Sequence, residues 1–430
     1  MRTPLVCAVM VALSCGFAPG QAQYKVLYSF GTNPNDALNI SGTLAADHKG
    51  NLFGTSQVGG IVPNCDGGGC GVVFELSPSS DGTWTETIPY DFCPTSGCPD
   101  GIFPETGVVV DPVGNLYGVT PYGGSESKLC YSFLNFEAGC GVVFELSPPA
   151  APGGAWTYTL LHAFCSDIVG NVCQDGAAPM GGLALDSSGN LYGTTSVGGT
   201  GNGGAVFEVS PGTGGWTETV LYSFCSAGGP YCPDGYYPTA AVTLDKSGDL
   251  YGTTDIGGST NSSGGGTLYK LSIGTHGWQE TIVYAFPQPV SGIDDLGQVT
   301  IDSAHNLYTT FILGTHSYGG VAAVGSQGDV RTFVFNGTDG RDPIGGVVVD
   351  SKRRVLYGNT SGIPGFGNGG NVYQIDKFKK ETVLYNFCPP NCGDGYLANG
   401  GLLEGRSGNL YGTTELGGTY DEGVVFELTP

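Results

Sequence analysis

Five Asp-Gly steps recur along the chain: Asp100-Gly101, Asp175-Gly176, Asp234-Gly235, Asp339-Gly340 and Asp394-Gly395. Asp36 and Asp295 stand at matching places. Carboxylates gathered in a ring would suit a hard cation, calcium above all, or a cationic or sugar ligand. The competing reading is a repeated turn, in which Asp bonds its own backbone and Gly supplies positive φ. A second cluster is basic: Lys352, Arg353, Arg354, Lys377, Lys379 and Lys380. Residues 331–380 hold 8 Lys+Arg and 4 Asp+Glu, a local charge of 8 − 4 = +4 in a chain of −23. Such a patch could dock an anionic surface or an acidic partner, or be no more than two solvated turns.

Signals for catalysis are poor. The five histidines, His48, His162, His276, His305 and His316, are scattered. No nucleophile elbow, HExxH, P-loop or dinucleotide fingerprint is present. The run Ser79-Ser80-Asp81-Gly82-Thr83-Trp84 comes near the Asp-box of sialidase propellers, but its Gly falls one place early. It reads as a turn. The residues lean away from an enzyme, and no resident cofactor is expected; calcium is the one ion that the acid ring would suit.

The cysteines point to export. Residues 1–22 read as a signal peptide, with Arg2, a short apolar run from Leu5 to Leu13, and small residues at Gly20-Gln21-Ala22. That run is too short to span a bilayer. Of the 14 cysteines, Cys7 and Cys15 lie in this leader. The other twelve form six local pairs: Cys65/Cys70, Cys93/Cys98, Cys130/Cys140, Cys165/Cys173, Cys225/Cys232 and Cys388/Cys392. Even number, local spacing and a leader imply disulfides rather than zinc, since no pair is CxxC. The expected setting is secreted, extracellular or periplasmic. Without Arg2 the mature chain has 14 Lys+Arg against 38 Asp+Glu, or −24. That disfavours nucleic acid and anionic membranes as general partners. A monomer is expected.

What positions these groups is a repeat. Gly189-Asn190-Leu191-Tyr192-Gly193-Thr194-Thr195 recurs at 50–56, 114–120, 248–254 and 408–414, and more weakly at 305–310 and 355–360. Its aromatic falls at Phe53, Tyr117, Tyr192, Tyr251, Tyr308, Tyr357 and Tyr411. In the third repeat four strand-like segments follow one another, at 182–186, 190–195, 204–209 and 216–224. Gly is 77 of 430 residues, and we find no long apolar period of 3.6, so short strands and tight turns predominate. Seven repeats of four antiparallel strands describe an all-β, seven-bladed β-propeller over residues 23–430.

The two ends fit this ring. Tyr24 to Phe30 copies a fourth strand, Val220 to Phe224, while Gly423 to Leu428 copies a third. The N-terminal strand should therefore complete the last blade and leave no open edge. Asp47, Asp111, Asp186, Asp245 and Asp302 should cap the turn between the first and second strands. The Gly after each aromatic, such as Gly193 or Gly252, should permit close approach of a neighbouring blade. Trp84, Trp156, Trp216 and Trp278 open the fourth strands and should pack between blades. All six cysteine pairs fall in 4–1 or 2–3 connections, which share one face. Variable, stapled loops on a rigid scaffold suit binding.

The combined pattern of GNLYGTT, Gly-Gly (Gly198-Gly199, Gly417-Gly418) and GVVFELSP (71–78, 141–148) resembles the GloVer tandem-repeat family of bacterial secreted, choice-of-anchor proteins. The resemblance implies export, often with a C-terminal surface anchor, and no established activity. Here Pro430 falls inside the last blade, which favours release over anchoring. DxxGNLY alone is also similar to lactonase, NHL and streptogramin-lyase propellers. The expected function is a non-catalytic binding module for a glycan or protein ligand on the stapled face. The alternatives are a lactonase-like or lyase-type enzyme with a channel-mouth metal, and a structural surface or matrix protein.

Overall fold

A computed structural model describes residues 22–430, apart from 34, 62–64, 66–67, 125–128, 131–138, 152, 227, 229–230, 260–263, 288–295, 313–317, 337–339, 363–368, 378–379 and 388–392. Residues 1–21 of the leader, Asp295, Asp339 and Lys379 thus lie outside the described residues.

Seven four-stranded antiparallel sheets form the blades of a β-propeller. Blades one to six span 45–91, 109–163, 184–223, 243–285, 300–334 and 347–386. Blade seven joins 403–429 to the N-terminal strand Gln23–Ser29. That strand runs antiparallel to Val424–Thr429, with Gln23 opposite Thr429 and Ser29 opposite Val424. The expected closure is present, and no edge of the ring is left unpaired there.

Blade three shows why these residues make this sheet. Its strands are Ala184–Leu185, Leu191–Thr195, Ala205–Gly212 and Gly215–Ser223. The second strand, part of the repeated marker, is buried at every residue, because blades pack on both its faces. The third alternates less, and the fourth is the half-exposed outer edge. Between the first two strands, Asp186 Oδ1 accepts the backbone N–H of Ser188 and Asn190, each at 2.8 Å. Asp47, Asp111, Asp245 and Asp302 do the same in their blades.

The glycine after the marker aromatic has a different reason from the one expected. A Cβ on Gly193 would lie 2.5 Å from the Phe207 ring, on the third strand of the same blade. The same holds for Gly54 with Phe74, Gly118 with Phe144 and Gly412 with Phe426. The glycine therefore makes room for an aromatic ring within its own blade, not for a neighbouring blade.

That ring then stitches the propeller together. The Phe just after each fourth strand meets the third-strand ring of the next blade edge-on. Phe30 meets Phe74, Phe92 meets Phe144, Phe164 meets Phe207 and Phe224 meets Tyr269, with centroids 5.0–5.2 Å apart. Phe335 meets Tyr373 at 4.9 Å and Phe387 meets Phe426 at 5.3 Å. Such pairs contribute about 0.5–1.5 kcal/mol each beyond area burial. Blade five is the exception, and it is altered at both places. Its marker glycine is Thr309, and the residue paired with it is Ala322 rather than an aromatic. Phe286 there packs on Phe311 instead, at 6.2 Å.

The tryptophans behave as expected. Trp156 meets Phe53 edge-on at 6.1 Å, and Trp216 meets Tyr117 at 5.9 Å. Trp84 and Trp278 pack in the clusters holding Tyr411 and Tyr192. Each indole fills the crevice between its blade and the one before.

Among the described residues five disulfides are formed: Cys65–Cys70, Cys93–Cys98, Cys130–Cys140, Cys165–Cys173 and Cys225–Cys232. Six were expected. The sixth, a bond from Cys388 to Cys392, is not among them, because Cys388 and Cys392 both lie outside the described residues. The five that are formed lie in 4–1 or 2–3 connections, on one face. They fit an oxidising setting outside the cell or in the periplasm. Among the described residues, no helix is long and apolar enough to cross a membrane.

Candidate functional site

The Asp-Gly carboxylates hold the connections that lead into each blade. Asp100 is 7% exposed, and its Oδ2 accepts the Tyr90 hydroxyl at 2.8 Å and the Cys93 N–H at 3.0 Å. Asp234 accepts the Tyr222 hydroxyl at 3.1 Å and the Cys225 N–H at 2.9 Å. Asp394 accepts the Tyr385 hydroxyl at 2.6 Å. In Asp175 the tyrosine is replaced by His162, 3.2 Å away, and Ser166 donates both its N–H and its hydroxyl. Asp36 accepts from Thr32 and from the Asn33 N–H, both at 3.1 Å. These carboxylates bond to their own connections and to the fourth strand before them, and none lines the central cavity. Asp339 belongs to the same series by sequence.

Several of these acids face a fourth-strand glutamate across the blade junction. Burial, reinforced by Asp36, pushes Glu86 up to about 9. Burial and then the charge of Asp175 push Glu218 up to about 8. Burial and Asp234 push Glu280 up to about 7. Burial also raises Asp100, in part offset by the donors from Tyr90 and Cys93. The pairs therefore keep a proton at pH values where an exposed glutamate has lost it.

The centre of the ring encloses a cavity of about 820 Å³. Its wall is built from the residues just before and within the first strand of each blade. In six of the seven connections the residue five places after the Asp faces it: Ser41, Glu105, Met180, Thr239, Ile344 and Asn399. Unlike the Asp-Gly step, this position does not repeat. Residues of the 2–3 connections bond to it. Gln57 Nε2 donates to Glu105 at 2.7 Å. Thr239 Oγ1 donates to Asp255 at 2.7 Å, and Asn399 Nδ2 to Glu415 at 2.6 Å. Tyr237 joins the wall, and its hydroxyl lies 3.9 Å from the Met180 sulfur. Burial raises Glu105, with the Gln57 hydrogen bond opposing. Burial and then the charge of Glu105 raise Tyr122. Both connections belong to the stapled face, so this is the mouth of the channel on that face.

Sequence reasoning placed the acids of interest in the Asp-Gly steps and missed Glu105, Asp255 and Glu415. A signal was available. Five residues after the repeated Asp, the residue type changes from blade to blade, and this position holds Glu105; Asp255 and Glu415 instead follow the marker strand, at a position that also varies between blades.

The basic turns stand on the opposite face. Lys352, Arg353 and Arg354 are exposed in the 1–2 turn of blade six, and Lys377 and Lys380 in its 3–4 turn. Arg353 is tied back to Asp350 at 3.0 Å. Among the described residues, the groups of three or more His, Cys, Asp or Glu near enough to share an ion are all cysteines, and those cysteines are in disulfides.

Residues 131–333 carry the Gloeobacter/Verrucomicrobia repeat, as judged by a match to the model of that family. No curated protein matches the chain in sequence. Among solved structures, a Bacteroides uniformis protein described as a candidate 6-phosphogluconolactonase is 12% identical, with a TM-score of 0.47 over 84% of this chain and 88% of its own. A candidate gluconolactonase is 13% identical, with a TM-score of 0.39 over 79% and 89%. A luciferin-regenerating enzyme is 16% identical, with a TM-score of 0.37 over 73% and 98%. Likeness at this level says nothing about activity.

Proposed function

We propose that this protein is an exported binding module that takes a glycan at the mouth of its central channel, on the disulfide-stapled face. One observation carries the reading. Polar side chains that break the repeat, Glu105, Thr239 and Asn399, face the cavity, each hydrogen-bonded to a residue of a 2–3 connection, Gln57, Asp255 and Glu415 in turn. Carboxylates and amides held in this way present acceptors and donors at fixed spacing, which is what sugar hydroxyls require. Tyr237 adds a ring to the same wall. The disulfides hold the surrounding loops, so that little ordering cost falls on the binding step.

The test is a polysaccharide and oligosaccharide panel followed by calorimetry on the best hit. Glu105→Gln combined with Asn399→Ala should weaken binding about tenfold or more. Asp100→Asn, away from the cavity, should leave the affinity of the folded protein unchanged. Binding that survives the mouth substitutions, or no hit across the panel, would overturn the reading. A lactonase-like or lyase-type enzyme would need several ligands converging on one ion. Thermal unfolding with chelator and with added calcium separates the two: the binding module should show no shift, and a clear shift would favour the enzyme.

A further inference from the structure

The mouth of the channel has two unlike sides. Blades seven, one and two supply a polar side. Glu105 accepts from Gln57 through Oε1, and Glu415 accepts from Asn399 through Oε2. Ser41, in blade one between them, donates to the Glu105 carbonyl at 3.1 Å. The second oxygen of each glutamate takes no hydrogen bond from the described residues and stays accessible. Beside Glu105, the buried Thr106 hydroxyl lines the cavity and has no hydrogen-bond partner among the described residues. Blades three, five and six supply an apolar side, from Met180, Leu296 and Ile344. Ile344 is 40% exposed, an apolar surface left open in the wall.

Nothing in this wall balances the acids. Among the described residues, no Lys, Arg or His lines the cavity. The 4–1 and 2–3 connections hold 18 Asp+Glu and 2 Lys+Arg, a formal charge of 2 − 18 = −16. Of the two cations, Lys128 lies outside the described residues. Arg341 is paired with Asp342 at 3.4 Å and lies over the Tyr318 ring. Burial raises the Glu105 carboxyl above its usual range, with the Gln57 bond opposing. A positive group in the cavity would offset that cost, and an anion would add to it. Glu105 and Glu415 stand on separate blades, and among the described residues no carboxylate belongs to a group of three that could share an ion. Such spacing does not suit calcium, which takes about 6–8 oxygens at once. It suits positive groups set apart along one ligand.

We propose that the mouth takes an oligomer of amino sugars whose amines are free and charged, an inference that rests on the glycan reading above and narrows it. The ammonium groups meet the open oxygens of Glu105 and Glu415. Sugar hydroxyls bond the amides of Gln57 and Asn399, and the apolar face of a ring lies on Met180 and Ile344. Uronic-acid and sulfated glycans carry the opposite charge and are turned away. N-acetylation removes the charge, and with it most of the preference.

Calorimetry on the full mature chain at mildly acidic pH tests the assignment. The probes are a short glucosamine oligomer, its fully N-acetylated counterpart and a galacturonate oligomer of the same length. The glucosamine oligomer should bind at least about tenfold more tightly than the acetylated one, and the galacturonate should show no binding at about 1 mM. Glu105→Gln with Glu415→Gln should cut that ratio to about twofold or less. Asp421→Asn with Glu422→Gln removes the same charge from the same face away from the cavity. It should leave the ratio within about twofold of the wild type. An equal fall in both pairs would mean diffuse attraction to an acidic face and would overturn the proposal. The proposal also falls, with the glycan reading intact, if the acetylated or acidic oligomer, or a neutral glycan of the wider panel, binds as tightly as the free amine. No binding by any glycan removes both.

Discussion

Acidic side chains occupy two regions of this ring, the connections that enter each blade and the mouth of the channel, and they are used in opposite ways. In the connections Asp100, Asp175, Asp234 and Asp394 repeat with the blades, and each accepts donors from its own loop or the strand beside it. At the mouth Glu105 occurs in one blade, and an acid follows the marker strand in two blades only, as Asp255 and Glu415; the three accept from Gln57, Thr239 and Asn399. A residue that every blade needs is needed by the blade. A residue used once is free to serve something that the blades do not share. In a repeat protein, recurrence is thus an argument against a direct chemical role.

The largest test of this contrast exchanges the two regions. Asp100→Ala removes the acceptor for a buried hydroxyl and a buried N–H, and should cost about 2–4 kcal/mol in denaturant unfolding. Glu105→Gln keeps its hydrogen bond to Gln57 and should stay within about 1 kcal/mol. Reversed magnitudes would break the contrast. Next, replacing Cys225 and Cys232 by Ser should lower stability by about 2–3 kcal/mol, since a short loop is released in the connection held by Asp234. Loss of ligand affinity well beyond that expected from unfolding would show that the staples also shape the mouth.

A smaller effect concerns blade five, where the repeat is broken without a ligand in view. Ala322→Phe should cost about 1–3 kcal/mol, because the new ring meets the Thr309 side chain. Adding Thr309→Gly should recover about 1 kcal/mol or more of that loss, read as a coupling energy. Additive effects would deny that the two positions changed together. The smallest effect is pH dependence. Glu86, Glu218 and Glu280 hold protons in the fold that the unfolded chain releases near pH 4.5. Their contribution is present below that pH and is lost as pH rises through about 7 to 9. The Tm should therefore fall between pH 5 and pH 9, and Glu86→Gln should flatten the slope. A Tm that rises over that range would mean that the junction pairs do not share a proton.

Much of this fold was legible in the sequence because its determinants are local and repeated. The marker strand, the capping Asp and the copy of a fourth strand at Tyr24 to Phe30 fix blade number and closure without knowledge of any contact. Five of the cysteine pairs were legible for the same reason, their partners being a few residues away. The mouth was not. Asn399 and Glu415 are close in sequence, but the approach of Gln57 to Glu105 crosses from one blade to the next. The Asp-Gly steps repeat and are visible for that reason, whereas the position five residues on varies and carries no motif. The glycine after the marker aromatic was misassigned because its partner, Phe207, lies across a strand pair whose register the sequence does not state.

The pairing of Gln23 with Thr429 has a consequence for orientation. Both residues lie where fourth strands begin and third strands end, which is the side of the basic turns. Anything joined to either end of the propeller leaves from that side. A tether, a fused domain or a surface used for immobilisation would therefore hold the ring with its channel mouth directed outward, and a biosensor built on either terminus would present the mouth unobstructed.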